Sequence, residues 1–156
     1  MDVAVLLHNV RSAHNVGSIF RTADAAGAIR IYLSGYTPRP RDRFGRAQKE
    51  IAKTALGAER SIQWEYCNTP APLITRLKRS GWNIIGVEQD AHSIDYRTFV
   101  PRTPTLFVFG NEVRGLSKGL RSLCDMLIEI PMHGKKESLN VAVAAGVILF
   151  SAREKC

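Results

Sequence analysis

The feature that most limits what this chain can fold into is an alternation of short apolar runs with stretches of helical periodicity. Each run has the length of a short strand, and apolar residues in the stretches between them recur every three or four positions. Strands that alternate with helices are typical of a mostly parallel sheet with helices on both faces. The sequence therefore predicts an α/β fold with strands near residues 3–7, 29–33, 62–64, 84–87, 106–109 and 127–130.

Length and cysteine content narrow the class further. A chain of 156 residues, 45% of them apolar, is long enough for one hydrophobic core, so we expect a single domain over residues 1–156. The three cysteines lie far apart and form no zinc-binding pattern, which favours a reducing compartment and no metal site. No basic leader is present, and the longest apolar stretch, residues 141–150, would cover half a bilayer, so we expect a cytoplasmic protein.

The chain is basic, with 22 Lys plus Arg, 14 Asp plus Glu and a formal net charge of +8. Such a surface attracts polyanions, which leaves RNA, DNA and a membrane surface as candidate partners. The basic residues are dense between positions 39 and 60, where a loop is predicted to run into a basic helix. A solvated charged face would have the same composition, but the net charge favours a surface that faces RNA.

Two helices are predicted with particular clarity. In the first, Val16, Ile19, Phe20 and Ala23 share one face, and Arg21 points away from it. Asn15 is predicted to cap this helix and residue 27, a glycine, to end it. The last helix, near residues 140–153, is apolar on two sides, although a terminal helix has only one sheet to cover. Its second face needs a partner, and a second copy of the chain is the simplest one.

Polar and glycine-rich segments follow three of the predicted strands. Asn15 comes shortly after the first strand, Gly110, Asn111 and Glu112 follow the strand at 106–109, and Ser138 to Asn140 follow the last strand. Ligands of open parallel sheets bind at the carboxyl ends of the strands, so we expect these segments to line one crevice. Each residue has a structural alternative, because caps and turns use the same residue types.

Three motifs at these positions resemble the signatures of a known family. They are N-V-G-x-x-x-R-T-A at residues 15–23, F-G-N-E-x-x-G-L-S at 109–117, and I-P-M at 130–132 followed by S-L-N-V-A-V-A at 138–144. In order and spacing they resemble the SpoU/TrmH family of the SPOUT superfamily, over essentially the whole chain. Two positions depart from the pattern: Ala142 stands where many members have Ser, and Val113 where Gly or a polar residue is frequent.

This resemblance implies a C-terminal trefoil knot, roughly within residues 84–156, and a domain without an added RNA-binding domain. It also implies S-adenosylmethionine as methyl donor, transfer to a ribose 2′-hydroxyl of RNA, and a homodimer that forms through the knot region and the last helix. The donor contacts fall on Val87, Glu88, Gln89, Gly110, Asn111, Ile130, Met132 and Leu139. The catalytic positions fall on Arg21, Asn15, Glu112, Ser138 and Asn140.

The chemistry assigns different roles to these side chains. A guanidinium has a pKa above about 12, so we expect Arg21 to hold a phosphate and stabilise the developing alkoxide instead of acting as a base. Glu112 is expected to organise Asn15, Arg21 and the turn after the strand. The candidates for RNA phosphate contacts are Arg11, Arg39, Arg41, Arg43, Arg46, Lys49, Lys53 and Arg114.

Several alternatives stay open at this point. A nucleotide-dependent oxidoreductase is disfavoured because the G-x-G-x-x-G turn is missing after the first strand, and the phosphate-binding P-loop pattern is missing as well. A catalytically silent RNA-binding module of the same fold would keep the basic surface. Methylation of a base is disfavoured only by the resemblance. Transfer RNA is the expected substrate, with ribosomal RNA as the alternative.

Overall fold

The chain forms one sheet of seven strands, all paired in parallel, in the computed structural model, which describes residues 1–156. The strands are β1 (Val3–His8), β2 (Arg30–Ser34), β3 (Gln63–Cys67), β4 (Asn83–Val87), β5 (Ile94–Asp95), β6 (Thr105–Phe109) and β7 (Met126–Glu129). Their order across the sheet is β3-β2-β1-β6-β4-β7-β5. Since every pairing is parallel, all carboxyl ends lie along one edge, where the polar loops are expected to meet.

Six helices cover both faces of this sheet. They are α1 (Ala13–Ala25), α2 (Lys49–Ala55), α3 (Ala58–Ser61), α4 (Pro70–Arg79), α5 (Lys118–Leu123) and α6 (Val141–Glu154). Neighbouring strand residues belong to opposite cores, as the two-residue period of a strand requires. Leu7 belongs to a core with α1, α2 and α6, whereas Leu6 belongs to a second core with α4 and α5. The predicted α/β class is confirmed.

The six predicted strands are confirmed with small shifts at their ends. The seventh, β5, was not predicted, because it consists of two residues and pairs only with β7 at the sheet edge. No helix of the structure has the length and apolar character needed to cross a membrane.

The start of α1 differs from the prediction. Ser12, not Asn15, is the N-cap, and its Oγ accepts a hydrogen bond from the backbone N–H of Asn15 at 3.1 Å. Asn15 lies inside the first turn and is buried, which leaves its side-chain amide for contacts with other loops. The predicted end is confirmed, since α1 stops at Ala25 and Gly27 has a φ of 71° just beyond it.

Helix α6 has the two faces expected from its sequence. Its inner stripe, which includes Ala145, Ile148 and Leu149, is buried in the core beside α1. On the outer side Val143 is 53% and Phe150 48% exposed, so one chain alone leaves this apolar surface in water. Asn140 caps the helix, and its Oδ1 accepts from the backbone N–H groups of residues 142 and 143.

Candidate active site

A concave cavity opens at the carboxyl ends of β4, β6 and β7 and is lined by sixteen residues, eight of them hydrophobic. A concave lining that combines apolar and polar residues is typical of small-molecule sites. The loops after the three strands and the start of α6 form its walls. All eight residues predicted to contact the methyl donor line it, namely Val87, Glu88, Gln89, Gly110, Asn111, Ile130, Met132 and Leu139. Glu112 and Ser138, predicted on catalytic grounds, line it as well.

Glu112 joins the cavity to the start of α1. Its carboxylate accepts hydrogen bonds from the backbone N–H groups of Arg11 and Ser12, both at 3.0 Å, and from Asn15 Nδ2 at 3.4 Å. Asn15 Oδ1 in turn accepts from Asn140 Nδ2 at 3.1 Å. Three segments thus meet through a continuous set of hydrogen bonds, although Glu112 lies 97 and Asn140 125 residues after Asn15 in the chain. Three of the five predicted catalytic residues are brought together in this way.

The electrostatics of Glu112 favour its ionised form. Partial burial acts to raise its pKa, but the hydrogen bonds from the backbone of Ser12 and Arg11, together with that from Asn15, outweigh the burial. The pKa of Glu112 therefore lies below its ordinary value. A carboxylate held in this state is suited to fixing the position of its donors and poorly suited to accepting a proton near neutral pH.

The turn after β6 fixes the wall of the cavity. Asn111 Oδ1 accepts from the backbone N–H groups of Val113 and Arg114, both at 2.9 Å. Gly115 has a φ of 65°, a conformation that glycine adopts readily. Across the cavity, Glu88 Oε2 accepts from the backbone N–H of Leu116 at 2.6 Å and ties this turn to β4.

The charge of the cavity is opposite to that of the protein. Three carboxylates, those of Glu88, Glu112 and Glu129, belong to its lining, and neither Lys nor Arg does. In a chain of net charge +8, this is a local exception. The acidic lining favours a ligand with positive charge and opposes one that carries several phosphates. Sequence reasoning missed Glu129, because it is the last residue of a strand and no motif marks it.

Arg21 lies outside this cavity in the single chain. It is exposed on α1 and lines a separate groove with His14, Lys53 and Phe150. The expected contact between Glu112 and Arg21 is therefore wrong within one chain, because Glu112 binds the backbone before α1 and Asn15 instead. Arg21 sits beside the exposed part of α6, since Phe150 shares its groove.

The predicted RNA-contacting residues lie outside the cavity. All are exposed except Arg39, which is partly buried with its guanidinium 3.9 Å from the centre of the Tyr66 ring. They fall into the loop before α1 (Arg11), the loop after β2 (Arg39, Arg41, Arg43 and Arg46), helix α2 (Lys49 and Lys53) and the turn after β6 (Arg114). The loop after β2 reaches the cavity wall, because Asn111 Nδ2 donates to Tyr36 Oη at 3.1 Å.

An all-parallel sheet with an acid-lined cavity at its strand ends, in a chain with a basic loop after β2, defines the class of α/β protein. The chain belongs to the SpoU rRNA Methylase family, whose model matches residues 2–150. It is 32% identical to the tRNA (guanosine(18)-2′-O)-methyltransferase of Aquifex aeolicus (strain VF5), over 99% of this chain and 70% of that protein. It is 36% identical to the 23S rRNA (guanosine-2′-O-)-methyltransferase RlmB of Ralstonia nicotianae, over 95% of this chain and 57% of that protein.

Two crystal structures have the same fold. The SpoU methyltransferase AviRb from Streptomyces viridochromogenes, in complex with the cofactor AdoMet, superposes with a TM-score of 0.87 at 30% identity, covering 98% of this chain and 60% of that one. An AdoMet-bound rRNA methyltransferase from Sinorhizobium meliloti also gives a TM-score of 0.87, at 35% identity, covering 98% of this chain and 56% of that one. The chain thus spans little more than half the length of these two crystallised proteins.

Proposed function

We propose that this protein transfers a methyl group from S-adenosylmethionine to a ribose 2′-hydroxyl of RNA. The observation that carries the proposal is the acid-lined cavity at the carboxyl ends of β4, β6 and β7, beside a basic loop on the same sheet edge. The two matched relatives are named as 2′-O-methyltransferases of tRNA and rRNA, and two crystallised neighbours hold AdoMet, which supports the same chemistry here.

The residues of the cavity fit this donor. Its apolar residues, among them Val87, Ile130 and Leu139, offer surface for an adenine ring, and its carboxylates complement a sulfonium and an amino group. A Cβ at Gly110 would lie 2.8 Å from the backbone N of Leu116 and closer still to the carbonyl of Gly115, so only glycine keeps this wall in place. When bound, the donor supplies an activated methyl group for an in-line displacement.

The chain's own residues then align and stabilise the acceptor. Positioning of the two reactants supplies a large part of the rate of such a displacement. We assign two roles to Arg21: it binds the phosphate next to the acceptor ribose, and it stabilises the negative charge that develops on the 2′-oxygen as the hydroxyl proton leaves to a neighbouring group or to water. Glu112, through Asn15 and the backbone of Arg11 and Ser12, holds the start of α1 against the cavity. Asn140 joins this set of hydrogen bonds through Asn15, and Ser138 lines the cavity.

The position of Arg21 supports a homodimer. Arg21 and Phe150 share one groove, and Phe150 belongs to the exposed apolar side of α6. A second copy that covers this side would bury Val143 and Phe150 and would bring Arg21 of one chain to the interface. The active site would then combine the cavity of one chain with Arg21 of the other. Light scattering at micromolar concentration should give the mass of a dimer, and a clean monomer would contradict this arrangement.

The path of the C-terminal segment supports the trefoil knot. Strand β7 lies between β4 and β5, and Gln89 Nε2 after β4 donates to the carbonyl of Ile130 after β7 at 2.7 Å. The chain then returns to α1, where Asn140 contacts Asn15. We propose that this segment passes through the loop formed by the preceding strands.

We also propose that the protein works in a reducing cytoplasm, where Cys67, Cys124 and Cys156 stay free.

We favour transfer RNA as the substrate, with ribosomal RNA as the second arm of the test. The purified protein is incubated with S-adenosylmethionine labelled at the methyl group and with either total tRNA or rRNA from cells that lack the gene. The RNA is then digested to nucleosides. We expect label in 2′-O-methylnucleosides of tRNA, while label in base-methylated nucleosides, or in neither RNA, would contradict the proposal. A thermal-shift experiment tests the donor separately: S-adenosylhomocysteine should raise the melting temperature of the protein, and NAD should not.

A further inference from the structure

Residues 41–47 form a small hairpin that is ordered by its own hydrogen bonds. Arg41 and Ala47 form an antiparallel β-bridge, and the backbone N–H of Asp42 donates to the carbonyl of Arg46 at 2.9 Å. The carboxylate of Asp42 accepts from the backbone N–H groups of Phe44 at 2.8 Å and Arg46 at 3.0 Å. Gly45 has a φ of 78°, which makes the tight turn possible. The hairpin therefore keeps its shape without any apolar core of its own.

Phe44 stands at the tip of this hairpin and is 68% exposed, more than any other aromatic side chain of the protein. The core makes no use of it. Two guanidinium groups lie beside its ring, that of Arg43 at 4.9 Å and that of Arg46 at 5.1 Å from the ring centre. The hairpin is already ordered by its own hydrogen bonds, so its stability does not require an exposed aromatic ring between two arginines.

The hairpin is connected to the cavity through a short and anchored stretch of chain. Tyr36 contacts Asn111 on the cavity wall, Thr37 is buried with its Oγ1 donating to the carbonyl of Leu7, and Arg39 lies over Tyr66. This stretch leaves the carboxyl end of β2, at the edge of the sheet where the cavity opens, and Arg41 and Ala47 at the base of the hairpin line a groove with Trp64 near the start of β3. A long ligand that reaches the cavity can contact the hairpin as well.

We propose that Phe44 is a stacking platform for an unpaired base of the RNA substrate, with Arg43 binding an adjacent phosphate. Arg46 stays paired with Asp42, whose Oδ2 accepts from Arg46 Nε at 2.8 Å, and holds the hairpin in shape. This inference rests on the proposed function and adds to it a substrate class, RNA with single-stranded nucleotides near the modified ribose. Exposed aromatic rings and arginines recognise unstacked bases, whereas a duplex keeps its bases stacked inside. The basic residues of the hairpin outnumber its one acid, so a second copy of the same surface would be repelled.

The first test compares two RNA probes by fluorescence anisotropy: a labelled single strand of about 12 nucleotides and the duplex of the same sequence. For Phe44→Ala we expect affinity for the single strand to fall on the order of 10- to 100-fold and affinity for the duplex to stay within about twofold. Phe44→Trp should keep the wild-type preference, and Phe44→Leu, which is apolar but has no ring, should behave like Phe44→Ala. Equal behaviour of Phe44→Ala and the wild type on both probes would overturn the proposal.

Matched variants separate stacking from other roles. Ile29 is 45% exposed at the opposite edge of the sheet, so Ile29→Ala should leave both affinities unchanged. Arg43→Gln should reduce the salt dependence of single-strand binding by about one phosphate contact, whereas Phe44→Ala should lower affinity at every salt concentration with the same slope. If Phe44→Ala instead lowers the mass in light scattering, the tip is a protein contact and the stacking proposal is wrong.

The result of these RNA-binding measurements does not depend on whether the protein transfers a methyl group. RNA binding is measured here without the donor, so a protein that discriminates single strands through Phe44 but transfers no methyl would contradict only the proposed reaction. Normal methyl transfer by Phe44→Ala, with unchanged single-strand affinity, would contradict only the stacking role.

Discussion

The cavity and the loop that carries the 41–47 hairpin share one edge of the sheet and differ in almost every physical respect. The cavity is concave, carries three carboxylates and no Lys or Arg, and is assembled from segments far apart in sequence. The hairpin is convex, basic and continuous in sequence, and it stabilises itself through local hydrogen bonds. The difference shows that a protein of net charge +8 can keep positive charge away from one small volume while concentrating it close by.

Such a separation of charge suits two ligands of opposite sign. A cationic donor is favoured in the cavity and a polyanion along the loop, and neither site competes for the other's ligand. A substitution in either region should therefore affect only the ligand of that region.

The largest expected effect comes from Arg21 on α1, which belongs to neither the cavity nor the loop. Arg21 is exposed and lies outside the cavity, so Arg21→Ala should lower the rate of methyl transfer on the order of 100- to 1000-fold while binding of S-adenosylhomocysteine is unchanged. Arg21→Lys keeps the charge but loses the forked geometry and should recover only part of the rate. Single-turnover kinetics at saturating RNA measures this effect, and near-normal turnover by Arg21→Ala would remove the residue from the mechanism.

A change in the cavity wall should have the next largest effect and should act on the donor. The Cβ of Gly110→Ala would collide with the backbone of Gly115 and Leu116, so the wall must move and donor affinity should fall about 10-fold or more. Gly119→Ala is the matched control, because no atom lies within 4 Å of the added Cβ. Calorimetric titration with S-adenosylhomocysteine checks both, and RNA affinity should stay the same in each.

A substitution at Glu129 tests whether the negative charge of the cavity contributes to donor binding. Glu88 and Glu112 use their carboxylates for backbone hydrogen bonds, whereas the carboxylate of Glu129 forms neither a hydrogen bond nor an ion pair with the protein. Glu129→Gln should therefore weaken S-adenosylmethionine binding by about two- to fivefold, the range of a half-exposed charge pair. Equilibrium dialysis with labelled donor measures it. Tighter donor binding by the neutral variant would contradict an acidic preference.

The smallest effect concerns stability and pH. The folded-state pKa of Glu112 lies below its ordinary value, because hydrogen bonds from Ser12, Arg11 and Asn15 outweigh the effect of burial. Its ionised form therefore stabilises the fold above the unfolded pKa, and this contribution is lost as the pH falls through the folded pKa. In urea unfolding between about pH 6 and about pH 3, Glu112→Gln should lose less stability than the wild type, by a fraction of roughly 1 kcal/mol after solvent screening.

The two regions also differ in how far the sequence predicts them. The basic loop is contiguous, so its charge could be counted directly, and six of the seven strands and α6 followed from their apolar pattern. The acidity of the cavity could not be counted, because Glu88, Glu112 and Glu129 meet only after three strands are placed side by side. The eight donor positions were carried over by position from the family resemblance, and the structure places all of them on the cavity wall.

Inference from the local sequence failed where two residues could fill the same role, and where tertiary packing fixed the position of a side chain. Ser12 and Asn15 both favour helix caps and lie three positions apart, and only the fold shows that Ser12 caps while Asn15 contacts Glu112 and Asn140. The exposure of Arg21 was predicted from helix periodicity, but its distance from the cavity depends on how α1 packs against α6.

The most direct test of the division into two regions is a calorimetric titration of S-adenosylhomocysteine into the wild-type protein, alone and with saturating single-stranded RNA. Separate sites for ligands of opposite charge predict that the donor product binds with the same or higher affinity when RNA is present. Loss of S-adenosylhomocysteine binding on addition of RNA would show that both ligands compete for one site, and it would contradict the account.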